Sequence, residues 1–287
     1  MPLKMQRKSL KQLLESLRFL FLEEKEKETR SGTVPAGPSD GRVVACDFDN
    51  TLYFMKDEEP LRAADIFAIL YYQQRGGLFG LCTGRSLVGV TGIIRPYIRP
   101  DFYILASGAL VLDGEEKVLF KKCLPLQTVE EIYCRFVDPD PTTTRAVIQA
   151  NDTVYTLGPE SYMQTHIDSF AALEDADVYG LSLAAPDKDA AAQTAAQINE
   201  SYGEEVAAFL NVTHVDLVPR GCSKGHGIEV IRSRFSVREM YGIGDSYNDL
   251  PLLRSVDHPW TLPCAPQEVQ QASEGIVRSV SELLDRI

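Results

Sequence analysis

The sequence predicts an α/β fold: a doubly wound, Rossmann-like parallel sheet interrupted by an inserted α+β unit. Three observations carry this expectation. Short apolar runs alternate with helix-period stretches over residues 42–108, the pattern of parallel strands joined by crossover helices. The same alternation returns over 214–287. Between the two halves, residues 109–213 change to short strand-like runs broken by turn signals, the style of an antiparallel unit.

Taken in order, Leu10, Leu13, Leu14, Leu17, Leu20 and Phe21 fall at helical spacing with Lys11, Glu15 and Arg18 opposite, which predicts an amphipathic helix. Ser31 to Gly41, with its Pro and Gly residues, reads as a linker, so 1–41 forms a separate N-terminal piece. The helix is not a secretory signal, because Arg18 interrupts the apolar run and the acidic stretch Glu23–Glu28 follows it. Its polar face is not especially basic, so the stripe is expected on the chain's own core or on a second copy, which makes a homo-oligomer a candidate assembly.

From Arg42 the first half reads as strand 43–47, helix 61–75, strand 78–82, helix 86–95 and strand 102–106. Gly76-Gly77 punctuates the first helix end. In the insert, Val111–Glu115, which carries an Asp-Gly turn, followed by Lys117–Phe120 predicts a hairpin. Further strands are expected at 146–149, 154–157, 178–183 and 206–211, and helices at 129–136, 160–173 and 188–202. Asp138-Pro139-Asp140-Pro141 is a turn cluster, since each proline disfavours helix before it. The second half opens at Val215, carries a helix near 227–234, and closes with a helix over 277–287; Pro259–Pro266 around Trp260 reads as a loop.

Composition bounds the partners. With 44% apolar and 24% charged residues the chain is an ordinary soluble one, and a net charge of -12 offers no positive field to nucleic acid or to an anionic membrane. No apolar run approaches the roughly 20 residues that span a bilayer. The six cysteines show no C-x-x-C pair, which suits reduced thiols and a cytoplasmic location. His166, His214, His226 and His258 have no metal-ligand spacing and read as surface or capping residues.

The chemistry gathers at predicted strand ends. Val43-Val44-Ala45-Cys46 runs into Asp47-Phe48-Asp49-Asn50-Thr51, two carboxylates one residue apart where open α/β sheets bind ligands. A solvated turn is the plain alternative for such acids. Leu81-Cys82-Thr83-Gly84-Arg85 makes a second strand end, and Tyr241-Gly242-Ile243-Gly244-Asp245-Ser246-Tyr247-Asn248-Asp249 a third. Ser223-Lys224-Gly225 places a cation in the first turn of a helix, against the dipole, which is favourable only with an anion nearby; a phosphate fits.

The order DxDxT, T-G-R, lone K-G, GDxxND resembles the haloacid dehalogenase (HAD) superfamily of phosphotransferases over most of residues 42–287. The long interval from Thr83 to Lys224 is similar to the subgroup with a type IIB cap, found in sugar-phosphate phosphatases. Two departures stand out: Asn50 where that subgroup usually has Gly, and Ser107-Gly108-Ala109 for its usual Asn-Gly-Ala. The resemblance implies a core over 42–108 and 214–287 with a cap over 109–213. It implies Asp47 as nucleophile, Asp49 as general acid and base, and Thr83, Lys224 and Asn248 around the phosphoryl oxygens. Mg²⁺ would be held by Asp47, the backbone carbonyl of Asp49, Asp245 and Asp249; for Asp249 a helix N-terminal acid is the other reading. The substrate expected is a small phosphorylated metabolite, with a phosphomutase or a non-catalytic binding protein as alternatives on the same fold.

Overall fold

A computed structural model describes residues 41–137, 146–159 and 164–287. The chain runs through β1 (Arg42–Cys46), α1 (Ala63–Gln74), β2 (Leu78–Cys82), α2 (Leu87–Ile94) and β3 (Phe102–Leu105). The hairpin strands β4 (Leu110–Asp113) and β5 (Val118–Lys121) and then α3 (Leu126–Phe136) follow. Next come β6 (Ala146–Ala150), β7 (Thr153–Thr156), β8 (Gln164–His166), β9 (Val178–Ala184), α4 (Lys188–Tyr202), β10 (Val206–Asn211) and β11 (His214–Pro219). The remainder is α5 (Lys224–Arg234), β12 (Glu239–Gly244), α6 (Leu250–Ser255), β13 (His258–Thr261), α7 (Gln267–Gln271), β14 (Gly275–Ile276) and α8 (Val280–Leu284).

These strands make two sheets. The larger has the order β14-β13-β12-β1-β2-β3-β4-β5 and is parallel from β14 through β3. β1 is buried on both sides: Val44 and Cys46 join the cluster that includes Ile66 and Ile69 of α1 and Leu283 of α8, while Val43 and Ala45 join Ile228 and Ile231 of α5. Helices therefore cover both faces, which explains why Val43–Cys46 of β1 is an unbroken apolar run. Strand order reverses at β1, with β2 and β3 on one side and β12 to β14 on the other. That reversal opens a crevice at the carboxyl ends of β1, β2 and β12.

The smaller sheet, order β10-β11-β9-β6-β7-β8, is antiparallel except for the β7–β8 pair, and it forms the inserted cap. Strand alternation divides its residues. Ile148, Leu181, Leu183, Val215 and Leu217 pack with Val129 and Ile132 of α3 and Ala191 and Ile198 of α4. Their neighbours Gln149, Ser182 and Asp216 are half-buried on the opposite face, where Phe209, paired with Asp216, packs against the core cluster of the larger sheet.

Several elements depart from expectation. The hairpin at 110–121 extends the larger sheet, because β4 turns back antiparallel beside β3 and Leu110, Val111 and Leu112 are all buried there. Residues 214–219, expected to open the second core half, close the smaller sheet instead: Asn211 faces His214 across a two-residue turn, so β11 is the return arm of a hairpin with β10. The helix expected over 160–173 is replaced, within the described residues, by β8 and a 3₁₀ turn at Phe170–Leu173; Ile167, Phe170 and Leu173 mimic helical spacing but reach the core from extended and turn backbone. Trp260 lies in β13 rather than a loop, and the closing helix is only α8, begun by the Ser279 cap. All six cysteines are free; Cys46, Cys82 and Cys222 are buried, Cys123 is half-buried, and Cys134 and Cys264 are exposed. Burial pushes the thiols of Cys46 and Cys82 up, so both stay protonated. The N-terminal helix and linker over 1–40 and the Asp138–Pro141 cluster lie outside the described residues. No helix of the described residues is long and apolar enough to cross a membrane.

Candidate active site

Asp47 directly follows β1, and its N–H donates to Ile243 O of β12 at 2.9 Å, so parallel pairing continues one residue past the strand and fixes the backbone. Thr83 follows β2 with its N–H on Ile104 O at 2.8 Å. Asp245 follows β12, and Lys224 is the first residue of α5, whose cap Ser223 accepts from His226 N at 3.0 Å. Sheet register and one helix cap thus bring four segments to a single crevice.

There Lys224 Nζ donates to Asp47 Oδ1 at 2.6 Å and to Asp249 Oδ1 at 2.5 Å, with 1% of the lysine exposed. The unfavourable helix dipole is outweighed by two carboxylates at hydrogen-bond distance. Asp249 takes the helix N-terminal position, one of the two readings for it. Its Oδ1 meets Lys224, and its Oδ2 accepts from the backbone N–H groups of Asp245 and Ser246, each at 3.0 Å, in a capping box with Ser246.

Carboxylate oxygens of Asp47, Asp245 and Asp249 all lie within 4.8 Å of one another. Burial, followed by the repulsion of Asp249, raises the Asp47 carboxyl well above its ordinary range, and the same two causes push Asp245 up to about 6. Burial alone would lower Lys224, but Asp249 and Asp47 outweigh it and hold the ammonium well above its ordinary value. Three carboxylates thus face one ammonium and remain short of positive charge.

Asp49 lies apart from this cluster. Its carboxylate accepts two hydrogen bonds from the Arg85 guanidinium, Nε to Oδ2 at 2.8 Å and Nη2 to Oδ1 at 2.7 Å. Arg85 in turn lies over the rings of Phe48 and Tyr53, 5.4 and 5.5 Å from their centroids, and those two rings stack at 5.2 Å. Thr83 is buried, with its Oγ1 accepting from Arg85 N at 3.1 Å. Asn248 stays within its own turn, its Oδ1 accepting from Ser246 Oγ at 2.6 Å. Above the crevice, Gln149 Nε2 of β6 donates to Gly84 O at 2.7 Å, and Lys188 Nζ of α4 lies 4.7 Å from the centre of the Tyr247 ring.

The family model for haloacid dehalogenase-like hydrolases matches residues 44–283, spanning both halves of the core and the insert. The chain belongs to this family. Among its relatives, an HMP-PP phosphatase of Yersinia enterocolitica is 24% identical over 244 residues, 80% of this chain and 86% of that protein. The fold is shared with a haloacid dehalogenase-like hydrolase of B. subtilis, TM-score 0.75 at 16% identity, covering 85% of this chain and 99% of that one. It is also shared with the HAD subclass IIB sugar phosphatase BT4131, TM-score 0.69 at 17% identity, covering 85% and 98%.

For a HAD hydrolase, the acid cluster fits a divalent cation by its own chemistry: hard carboxylate oxygens of Asp47, Asp245 and Asp249 converge within one ion's reach. The Asp49 side chain is not part of that set, being held by the Arg85 guanidinium. The two sequence departures are accommodated locally. Asn50 has φ +60°, a left-handed conformation that Asn adopts more readily than most residues. Ser107, the second departure, has φ +49° and ψ +38°, also left-handed, and the Gly108 beside it, at φ +94°, is required by close approach, because a Cβ there would sit 2.0 Å from Ser223 O. Sequence reasoning did not assign Arg85, although a cation directly after the Thr83-Gly84 strand end was its signal.

Proposed function

We propose that this chain is a cytoplasmic, Mg²⁺-dependent phosphomonoester hydrolase acting through an aspartyl-phosphate on a small phosphorylated metabolite, a sugar phosphate by class. The observation that carries the reading is the Lys224 bridge between Asp47 and Asp249, which aims a buried carboxylate and a buried ammonium into the strand-end crevice.

An Asp47 carboxylate oxygen attacks phosphorus as the bond to the leaving oxygen breaks, and Asp49 gives that oxygen its proton. Asp49 then takes a proton from water, whose oxygen attacks the phosphoryl group; the bond to Asp47 breaks and inorganic phosphate leaves. Lys224 orients Asp47 and offers charge to the transferring oxygens, and Thr83 and Asn248 supply neutral polar groups beside them. The Arg85 fork positions Asp49 and must loosen for Asp49 to reach the leaving oxygen. Asp47, Asp245, Asp249 and the Asp49 carbonyl would hold Mg²⁺, which would supply positive charge against the carboxylates and the phosphoryl oxygens. The names of the HMP-PP phosphatase and the sugar phosphatase support phosphate esters as substrates.

A panel of phosphate esters assayed for released phosphate with Mg²⁺ tests this. Wild-type release that disappears in Asp47→Asn is the expected result, and a folded Asp47→Asn protein that keeps wild-type turnover would exclude the covalent route.

A further inference from the structure

We infer that Asp216 and Gln149, on the open face of the cap sheet, read hydrogen-bond donors on the leaving group, and so select esters of hydroxyl- or amine-bearing alcohols. This rests on the phosphatase reading and deepens it. Every phosphoryl-handling residue stands at a strand end of the larger sheet or at the start of a helix packed on it, so the ester's other half must be met by what lies opposite.

Asp216 on β11 and Ser182 on β9 are paired in register, and Ser182 Oγ donates to Asp216 Oδ1 at 2.6 Å. Asn211 Nδ2, from β10, donates to Asp216 Oδ2 at 2.8 Å. A hydroxyl and an amide therefore orient the carboxylate without neutralising it, and about half of its lone-pair positions remain for another donor. The carboxylate lies over the crevice rim: a methyl group built on Gly84, the residue after Thr83, would sit 3.9 Å from Asp216 Oδ2. Gln149 reaches the same rim, its Nε2 on Gly84 O at 2.7 Å, while its Oε1 is buried without a partner.

The two side chains thus present acceptors, a carboxylate and an amide oxygen, next to the residue that follows Thr83. A phosphate would be repelled by them; the donors of a polyol or an amino alcohol would be bound. A buried acceptor left without a donor carries a free-energy cost, so a site of this kind rejects esters that lack the donor more strongly than it rewards those that have it.

The test uses the full chain with Mg²⁺ and four probes: a hexose 6-phosphate, its deoxy analogue, phosphoethanolamine and p-nitrophenyl phosphate. Asp216→Asn keeps the shape and changes one acceptor to a donor. It is expected to lower kcat/KM for the hexose or the amino ester by about 10- to 100-fold more than for the aryl ester. Which of the two falls identifies hydroxyl or amine as the donor. Ser182→Ala, which only frees Asp216, should give a smaller change in the same direction. If both variants leave the ratio of esters within about twofold of wild type, the inference is overturned and Asp216 is a strut of the sheet. If wild-type protein releases phosphate from none of the four probes, the phosphatase reading falls and takes this inference with it.

Discussion

The strand-end cluster and the open face of the cap sheet are both polar, yet they are built in opposite ways. Asp47, Lys224 and Asp249 are 5%, 1% and 0% exposed, are all ionisable, and are locked by short hydrogen bonds to one another and to backbone. Gln149, Ser182 and Asp216 are half-buried, carry a single charge among them, and leave acceptors open. A common chemical step needs the first arrangement, because desolvated charges act strongly only where geometry is fixed. Variable leaving groups need the second, since half-exposed amides and hydroxyls adjust at little cost. The two surfaces meet at Gly84, whose carbonyl is held from above by Gln149.

The contrast is broken most severely at Asp47. Asp47→Asn should lower turnover by at least about 10³-fold on every ester alike, because an amide cannot form the acyl phosphate. Loss confined to some esters would place Asp47 with the reading face. Circular dichroism should be unchanged.

Metal removal comes next. Chelation with EDTA should stop turnover of all substrates and lower the melting temperature, and added Mg²⁺ should restore both, since a cation relieves the crowding of Asp47, Asp245 and Asp249. A melting temperature indifferent to Mg²⁺ would show that the three carboxylates do not hold it.

Lys224 tests whether the cluster is an energetic unit. Lys224→Met leaves two buried carboxylates without their shared partner and should destabilise the protein by about 3–5 kcal/mol, read as a lower urea midpoint. Adding Asp249→Asn should recover part of that loss, because it removes one uncompensated charge. Full additivity of the two changes would mean that the bridge is not a unit.

The same contrast explains what the sequence revealed. Asp47, Asp49, Thr83, Lys224, Asp245 and Asp249 stand in short strings at the ends of apolar runs, so local pattern reaches them. The Arg85–Asp49 fork joins residues that only the β1–β2 pairing brings together. Asp216 and Gln149 were harder still: a strand's polar positions acquire a face and a neighbour only when register is known. Sheet membership was hidden for a related reason. The Asp-Gly turn at 113–114 announces a hairpin, but not that β4 extends the larger sheet beside β3. Likewise the apolar run at 215–219 does not say that it pairs with β10 and β9.

The smallest expected effect lies at the seam between the two regions. Ser107 has φ +49° and ψ +38°, the left-handed conformation that Asn adopts more readily than Ser. Its N–H donates to Thr83 O at 3.0 Å, and the neighbouring Ala106 N–H donates to Arg85 O at 3.0 Å, so this turn braces the Thr83–Arg85 loop from below. Its Oγ would lie 3.4 Å from a methyl group on Gly84, close to the rim that Asp216 also approaches. Ser107→Asn should therefore raise stability by under about 1 kcal/mol, seen as a small increase in urea midpoint at constant slope. Because the backbone brace is unaltered, the substitution should leave the ranking of esters as it is. A changed ranking with unchanged stability would move Ser107 from scaffold to the reading face, and would extend that face across Gly84 onto the larger sheet.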